Sequence, residues 1–261
     1  MKPRLNPTLP FRLKNDMVWI SAHVNDHQLN GILDSDSDET FLDTQTAGRL
    51  GLQRQSEQPR TVSPEVEKTR PNAITFSLGP STLVASRPSV LPIANHFPGM
   101  DFILGFDALG KTPFTVDYSK NMIRLGTVPS GLKVPFPNGR DVPGTEIKFS
   151  NVNVNGVVDT SAPAGLDLPF AWVKSRFPSI RFQQATERKD LGPKYEALPF
   201  LLDEVVIGGV TLSNVKADAI RRKADPLHDQ GDNWATIGNR LLTRFEQVGI
   251  DGPGRNCVFV S

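Results

Sequence analysis

The chain repeats one short motif at about half its length. Asn30-Gly31-Ile32-Leu33-Asp34-Ser35 returns 125 residues later as Asn155-Gly156-Val157-Val158-Asp159-Thr160. The same offset relates Leu9-Pro10-Phe11 to Val134-Pro135-Phe136. A repeat at this spacing predicts two copies of one supersecondary unit, related by approximate two-fold symmetry. Each copy ends an apolar run in an aspartate, so the symmetry also predicts that two carboxylates lie close together.

A second motif follows in the same order in each half. Ile103-Leu104-Gly105 in the first half corresponds to Thr236-Ile237-Gly238 in the second, and an apolar closing strand follows each of them. Prolines and glycines crowd residues 126–144, which we interpret as the linker between the two copies. The sequence therefore predicts an N-terminal lobe over residues 1–128 and a C-terminal lobe over 129–261.

Short apolar runs separated by turn residues fill most of the chain. Its 22 prolines and 21 glycines interrupt runs rich in Val, Ile, Phe and Leu, such as residues 17–24 and 73–78. This texture is typical of β-strands. Helical pattern is sparse, with one short helix predicted at 43–50 and others near Ala108 and at 241–245. The predicted fold class is all-β.

Charge and cysteine content exclude several classes of function. The 29 basic and 28 acidic residues nearly cancel, so nothing indicates a nucleic-acid groove or an anionic membrane surface. Charged stretches at 53–70 and 183–194 predict surface loops. Cys257 is the single cysteine, so neither an internal disulfide nor a cysteine-rich metal site can form.

The sequence as given shows no targeting or membrane segment. Residues 1–7 are positively charged, but no apolar run follows them, and no run of about 18 apolar residues occurs. We expect a monomer that binds no membrane. The expected location is cytoplasmic by default, or secreted or periplasmic if a leader has been removed.

The two repeated aspartates are the leading candidates for chemistry. Asp34 and Asp159 each follow two aliphatic residues and precede a hydroxyl residue, so each should lie where a buried strand leaves the core and turns. Two carboxylates brought together by a two-fold axis do not both ionise readily, so one proton is shared between them. Such a pair can deprotonate a water molecule and protonate a departing amine.

These motifs resemble those of the retropepsin-like and pepsin-like aspartic proteases, in a single-chain form with two fused lobes. The family pattern is two apolar residues, Asp, Thr or Ser, Gly, and Ala or Ser, paired with a later apolar-apolar-Gly. The matches here are Ile32-Leu33-Asp34-Ser35-Asp36-Ser37 with Ile103-Leu104-Gly105, and Val157-Val158-Asp159-Thr160-Ser161-Ala162 with Thr236-Ile237-Gly238. The resemblance extends over residues 9–260. It implies two pseudo-symmetric acid-protease barrels with a cleft between them.

The resemblance also implies roles for the acidic motifs. Asp34 and Asp159 would hold the attacking water between them, one as general base and the other as general acid. The implied reaction is hydrolysis of a peptide or an unfolded protein, without a covalent intermediate, a cofactor or a metal. The hydroxyls of Ser35 and Thr160 would tie each acidic loop to the backbone of the other.

The glycine positions contain both agreement with the family and departure from it. Gly105 and Gly238 would permit close backbone approach beneath the acidic loops, and a hairpin near residues 78–82 would be the flap over the cleft. Asp36 and Ser161 stand where the family has glycine. A side chain there predicts backbone strain or displacement, and Asp36 adds a negative charge that favours protonated carboxyls. The alternative is a catalytically weak or inactive protease-fold protein that binds peptides.

Two local matches suggest other ligands. Gly105-Phe106-Asp107-Ala108-Leu109-Gly110-Lys111-Thr112 fits the phosphate-binding pattern G-x-x-x-x-G-K-[ST], which requires a helix starting at the lysine. Pro113 and strand-like residues follow instead, so nucleotide binding is the more distant alternative. Asp34-Ser35-Asp36-Ser37-Asp38 alternates carboxylates as calcium loops do, but Glu39 and Gln45 stand where such loops need glycine and glutamate. A solvated acidic turn is expected there.

Overall fold

The computed structural model describes residues 7–52, 73–86, 88–149, 152–188, 194–221 and 234–261. These residues are mostly in strands, together with four short α-helices and one 3-10 turn. The predicted all-β fold is confirmed. Within the described ranges, no helix has the length and apolar character needed to span a membrane.

The described residues of the first half contain eleven strands, two α-helices and the 3-10 turn Ile93–Asn95. Its strands are β1 Thr8–Pro10, β2 Arg12–Lys14, β3 Met17–Val24, β4 His27–Leu33, β5 Phe41–Asp43, β6 Ile74–Leu78, β7 Ser81–Ala85, β8 Ser89–Leu91, β9 Phe102–Leu104, β10 Phe114–Asp117 and β11 Met122–Leu125. Its helices are α1 Thr44–Arg49 and α2 Phe106–Leu109.

The second half contains ten strands and two α-helices among its described residues. Its strands are β12 Lys133–Pro135, β13 Gly144–Phe149, β14 Val152–Val158, β15 Leu166–Pro169, β16 Thr186–Arg188, β17 Tyr195–Ile207, β18 Val210–Arg221, β19 Trp234–Ile237, β20 Gln247–Asp251 and β21 Asn256–Val260. Its helices are α3 Phe170–Arg176 and α4 Asn239–Leu242.

Each half builds its own curved sheet. In the first half the strand order is β7-β6-β3-β4-β9-β5-β8, with β2 beside β3, and this sheet curls into a half-barrel. In the second half the order is β13-β14-β19-β15-β18-β17-β16, and β13 also pairs with β17, which closes six strands into a barrel. The two-lobed arrangement is confirmed, with only the second lobe closed among the described residues.

A third sheet joins the two lobes. Its order is β1-β11-β10-β20-β21-β12, so three strands come from each half, and β10 and β20 meet as antiparallel neighbours at its centre. The repeated segments that contain Leu9 and Val134 lie in β1 and β12, at opposite edges of this sheet. One hydrophobic cluster continues through both lobes, and a second, smaller cluster lies in the first lobe. The predicted boundary at 128/129 stays a prediction.

The short elements differ from expectation in several places. The helix predicted at 43–50 is confirmed as α1, whereas α3 was not predicted. The linker predicted at 126–144 contains the strand β12, which pairs with β21. The loop predicted at 183–194 contains β16, with 189–193 outside the described residues. The loop predicted at 53–70 lies outside the described residues.

Candidate active site

The two acidic loops begin where buried central strands end. β4 runs parallel to β9, and β14 runs parallel to β19, with the same order of strands around each pair. The Asp34 N–H donates to the Leu104 carbonyl at 2.9 Å, and the Asp159 N–H donates to the Ile237 carbonyl at 3.0 Å. Both aspartates are therefore held against the strand that leads to the motif glycine of their own lobe.

The motif glycines are required by close backbone contact. A Cβ on Gly105 would lie 2.2 Å from the Glu39 carbonyl oxygen, and one on Gly238 would lie 2.5 Å from the Ala164 carbonyl oxygen. Both glycines have negative φ values, −88° and −94°. Lack of space, and not an unusual backbone conformation, therefore selects glycine at both positions.

Reciprocal hydrogen bonds join the two acidic loops. The Ser35 N–H donates to Thr160 Oγ1 at 3.2 Å, and the Thr160 N–H donates to Ser35 Oγ at 3.1 Å. Thr160 Oγ1 donates to the Leu33 carbonyl at 2.7 Å, and Ser35 Oγ donates to the Val158 carbonyl. Both hydroxyl residues are fully buried. Each loop is therefore tied through its hydroxyl to the strand end of the other lobe.

The two carboxyl groups accept matching backbone bonds. Asp34 Oδ1 accepts from the N–H groups of Asp36 at 3.1 Å and Ser37 at 3.0 Å. Asp159 Oδ1 accepts from those of Ser161 at 2.8 Å and Ala162 at 3.0 Å.

The Ser161 hydroxyl lies beside both carboxyls. Ser161 Oγ donates to Asp159 Oδ1 at 2.8 Å, and the same side chain acts to lower the pKa of Asp34. The hydroxyl therefore influences both carboxyls, which belong to one site.

Burial and mutual repulsion change the proton affinity of this pair. Burial raises the pKa of Asp34 well above its usual range, and the negative charges of Asp159 and then Asp36 raise it further. Burial also raises the pKa of Asp159, opposed by hydrogen bonds from Ser161 and Ala162 to its carboxylate. The arrangement favours one proton shared by the pair.

The two residues that replace the family glycines fit without strain. Neither Asp36 nor Ser161 has a positive φ, and each still directs its N–H at the carboxylate two residues earlier. The expectation of backbone strain is therefore wrong. The negative charge of Asp36 raises the pKa of Asp34, as expected. Asp36 Oδ1 lies 3.9 Å from Arg140 Nη1. The Arg140 guanidinium packs over the Trp234 ring, 5.1 Å from its centroid.

A tyrosine and an asparagine near the acidic loops were missed by sequence reasoning. The Tyr118 hydroxyl donates to Asn239 Oδ1 at 2.7 Å, and Asn239 Nδ2 donates to the Thr160 carbonyl at 2.7 Å. The sequence contains one local difference that could have indicated Asn239: it is a polar residue after Gly238, whereas the apolar Phe106 follows the corresponding Gly105. That difference does not identify Tyr118, 121 residues away, as its hydrogen-bond partner.

A buried charge cluster in the second lobe was also missed. Arg188 Nη2 donates to Asp218 Oδ2 at 2.6 Å, and Arg188 Nη1 lies 3.3 Å from Asp167 Oδ1. Burial raises the pKa of Asp167 to about 7 against the opposing effect of Arg188. The two aspartates lie opposite each other on the paired strands β15 and β18.

The competing motifs do not form the sites they resemble. α2 begins at Phe106, ahead of Lys111, and Lys111 Nζ donates to the Val84 carbonyl at 2.9 Å and to Ser86 Oγ at 2.8 Å. The lysine is thus bound to β7 and is not placed at a helix N-terminus. Among the described residues, no group of three or more His, Cys, Asp or Glu side chains could hold a metal ion.

The hairpin predicted near residues 78–82 is present as β6 and β7. Its turn contains Gly79 at φ +59°, and β6 pairs with β3 through Ser77 and His23. The hairpin is therefore part of the first lobe's sheet. Its role as a flap over the acidic loops stays a prediction.

Comparison with known proteins supports the fold more than the activity. No family model matches the chain. The chain is 25% identical over 197 residues to the protein DNA-DAMAGE INDUCIBLE 1 of Arabidopsis thaliana, which covers 69% of this chain and 43% of that protein. The chain therefore spans less than half the length of this relative. The relative belongs to a retroviral-protease-like family, so the similarity supports a protease-like fold.

Proposed function

We propose that the chain is an aspartic-type endopeptidase that hydrolyses peptide bonds with water activated between Asp34 and Asp159. The observation that carries this proposal is the reciprocal hydrogen bonding of the buried residues Ser35 and Thr160, which holds the two acidic loops together across the lobes. The raised pKa of Asp34 beside Asp159 supports a shared proton. The distant similarity to a retroviral-protease-like family supports a protease-like fold, which is consistent with this proposal.

The proposed reaction uses the two carboxyls in opposite roles. Asp159 accepts a proton from water as the water oxygen bonds to the peptide carbonyl carbon, and Asp34 donates its proton to the carbonyl oxygen. The resulting gem-diol collapses as Asp159 returns its proton to the amide nitrogen and Asp34 takes a proton from a diol hydroxyl. The carbon–nitrogen bond then breaks, giving a carboxylic acid and an amine, and both carboxyls regain their starting states.

The proposed substrate is a peptide or an unfolded protein bound in extended form between the lobes, and the proposed enzyme is a monomer. The two lobes meet at β10 and β20, and the acidic loops meet through Ser35 and Thr160. A substrate placed between the lobes would therefore reach both carboxyls at once. The near balance of charge supports neither a nucleic-acid nor a membrane partner.

The alternative is a peptide-binding protein with weak or no turnover, and one contact favours it. Ser161 Oγ hydrogen-bonds the Asp159 carboxyl and acts to lower the pKa of Asp34, and the attacking water must contact both of these carboxyls. A serine hydroxyl there competes with water for the same acceptors. Under this alternative, Ser161→Gly should raise cleavage from a weak or undetectable level, while Asp36→Gly should have a smaller effect because its carboxylate pairs with Arg140.

The decisive experiment is cleavage of an unfolded protein by the purified chain from acidic to neutral pH. Asp34→Asn and Asp159→Asn should each lower the rate by about 10²–10⁴-fold, the usual contribution of a positioned acid or base. Asp38→Asn is the matched control, because Asp38 lies on the same loop and is exposed. An unchanged rate of hydrolysis in either Asp34→Asn or Asp159→Asn would exclude the proposal.

A further inference from the structure

All of the polar groups of Thr160 are hydrogen-bonded. Its N–H and Oγ1 bond to Ser35 and Leu33 of the first lobe, as described above. Its carbonyl oxygen accepts twice, from the Val18 N–H at 3.3 Å and from Asn239 Nδ2 at 2.7 Å. The residue that follows Asp159 is therefore fixed at its amide, its side chain and its carbonyl.

Asn239 is itself oriented by Tyr118. The Asn239 side chain is fully buried, with Nδ2 bonded to Thr160 and Oδ1 accepting from the Tyr118 hydroxyl at 2.7 Å. Burial raises the pKa of Tyr118, so its hydroxyl stays protonated and remains a donor. The Tyr118 N–H donates to the Glu246 carbonyl at 2.9 Å, and its ring packs edge-on against Phe11 at 5.9 Å. The tyrosine is thus held by both lobes.

The first lobe lacks this arrangement. The 125-residue offset that relates the lobes places Pro143 at the position of Val18, consistent with the strand registers of both lobes. Phe106 corresponds to Asn239, since each follows the motif glycine. Proline has no N–H and phenylalanine has no polar side chain atom. Pro143 therefore cannot donate to the carbonyl of Ser35, the counterpart of Thr160. The Phe106 side chain cannot donate to it either, and the Phe106 N–H donates to the Ser37 carbonyl at 2.6 Å.

We propose that Tyr118 and Asn239 are positioning residues that hold the Asp159 loop, through the Thr160 carbonyl, more rigidly than the Asp34 loop is held. Removing the Tyr118 hydroxyl leaves Asn239 Oδ1 buried without its donor, so the amide loses its fixed orientation. The Thr160 carbonyl then keeps only the long bond from Val18. The catalytic consequence of this positioning rests on the proposed function, whereas the difference in loop rigidity does not.

Amide hydrogen exchange on the full chain tests the rigidity directly. In Tyr118→Phe, the amides of Ser161 and Ala162 should exchange about fivefold to tenfold faster, the effect expected for one net hydrogen bond. The amides of Asp36 and Ser37 should exchange at their original rates. Equal acceleration in both loops, or none in either, would overturn the proposal.

A matched control separates positioning from general loss of stability. Thr115→Val removes a buried hydroxyl in β10, the strand that precedes Tyr118, where Thr115 Oγ1 donates to the Thr127 carbonyl at 2.8 Å. In this variant, any change in the amide exchange rates should be the same in both acidic loops. If Tyr118→Phe does not fold, Asn239→Ala is the second variant, and it should accelerate the same two amides selectively.

The kinetic measurement is made in addition, on the same variants. If the chain cleaves peptides, Tyr118→Phe should lower kcat by about tenfold and leave KM unchanged, because the orientation of Asp159 matters chiefly in the transition state. Thr115→Val should change neither constant. A chain without turnover would defeat the proposed function and leave the exchange result standing. Unchanged kcat in an active chain would overturn the catalytic part of the inference.

Discussion

The two acidic loops share one backbone arrangement and differ in their neighbours. Asp34 and Asp159 accept bonds from the N–H groups two and three residues later, at nearly equal distances. Asp34 has the carboxylate of Asp36 beside it, whereas Asp159 accepts a further bond from the Ser161 hydroxyl. The same backbone therefore supports two carboxyls of unequal proton affinity, which is the condition for separate acid and base roles.

The strongest way to break the relation between the loops is to remove the Thr160 hydroxyl. Thr160→Val leaves the Ser35 N–H and the Leu33 carbonyl buried without their partner. Since each of these two orphaned groups costs about 1–3 kcal/mol, the free energy of unfolding should fall by roughly 2–6 kcal/mol. Thr160→Ser keeps the hydroxyl, so its free energy of unfolding should fall by only about 1 kcal/mol, because one buried methyl group is lost. Equal losses in the two variants, measured by urea unfolding, would contradict the account.

Alanine at the motif glycines tests whether the two loops are packed alike. Gly105→Ala and Gly238→Ala place a Cβ against backbone carbonyls that cannot move aside. Each should lower the free energy of unfolding by about 1–3 kcal/mol or more. Gly48→Ala in α1 meets no atom within 4 Å and should stabilise by about 0.5–1 kcal/mol. A tolerated alanine at only one motif glycine would show that the loops are packed differently.

Asp34→Asn tests on which carboxyl the proton resides. Because its pKa is raised in the folded state, Asp34 favours folding most below its unfolded pKa of about 4, and this contribution is lost as pH rises through the folded pKa. The variant should therefore be more stable than the wild type at pH 7, on the order of 1–2 kcal/mol, and similar near pH 4. Unfolding by urea at the two pH values measures this. A variant less stable at pH 7 would contradict the assignment.

The smallest expected effect comes from Asp36. Asp36→Asn removes a negative charge that raises the pKa of Asp34, so the Asp34 carboxyl should titrate at lower pH than in the wild type. Arg140→Gln should move it in the opposite direction, because Arg140 lies 3.9 Å from the Asp36 carboxylate. The pH profile of cleavage reports both shifts. Movement of both variants in the same direction would show that charge at Asp36 is not the cause.

The sequence predicted the parts of the site that the repeat marks. The two aspartates, their hydroxyl neighbours and the motif glycines all come from segments whose spacing is visible along the chain. Ser35 and Thr160 meet as the resemblance implies, because a two-fold relation of strand ends brings equivalent residues together.

The remaining contacts depend on residues that the repeat does not relate. Tyr118 reaches Asn239 across 121 residues, and β12 forms inside a proline-rich segment only because β21 lies beside it. The backbone at Asp36 could not be inferred from the loss of glycine, since φ there depends on the turn that the whole loop adopts. Long-range pairing and loop conformation are therefore the two properties that sequence reasoning did not reach.

The central claim, that Asp34 and Asp159 act as one proton-sharing pair, is tested most directly by carbon-13 NMR titration of their carboxyls. In the wild type, the Asp34 carboxyl should stay protonated to a pH well above that of an ordinary aspartate. In Asp159→Asn it should titrate at lower pH, because the repelling charge has been removed. An Asp34 carboxyl that titrates at the same pH in both proteins would contradict the account.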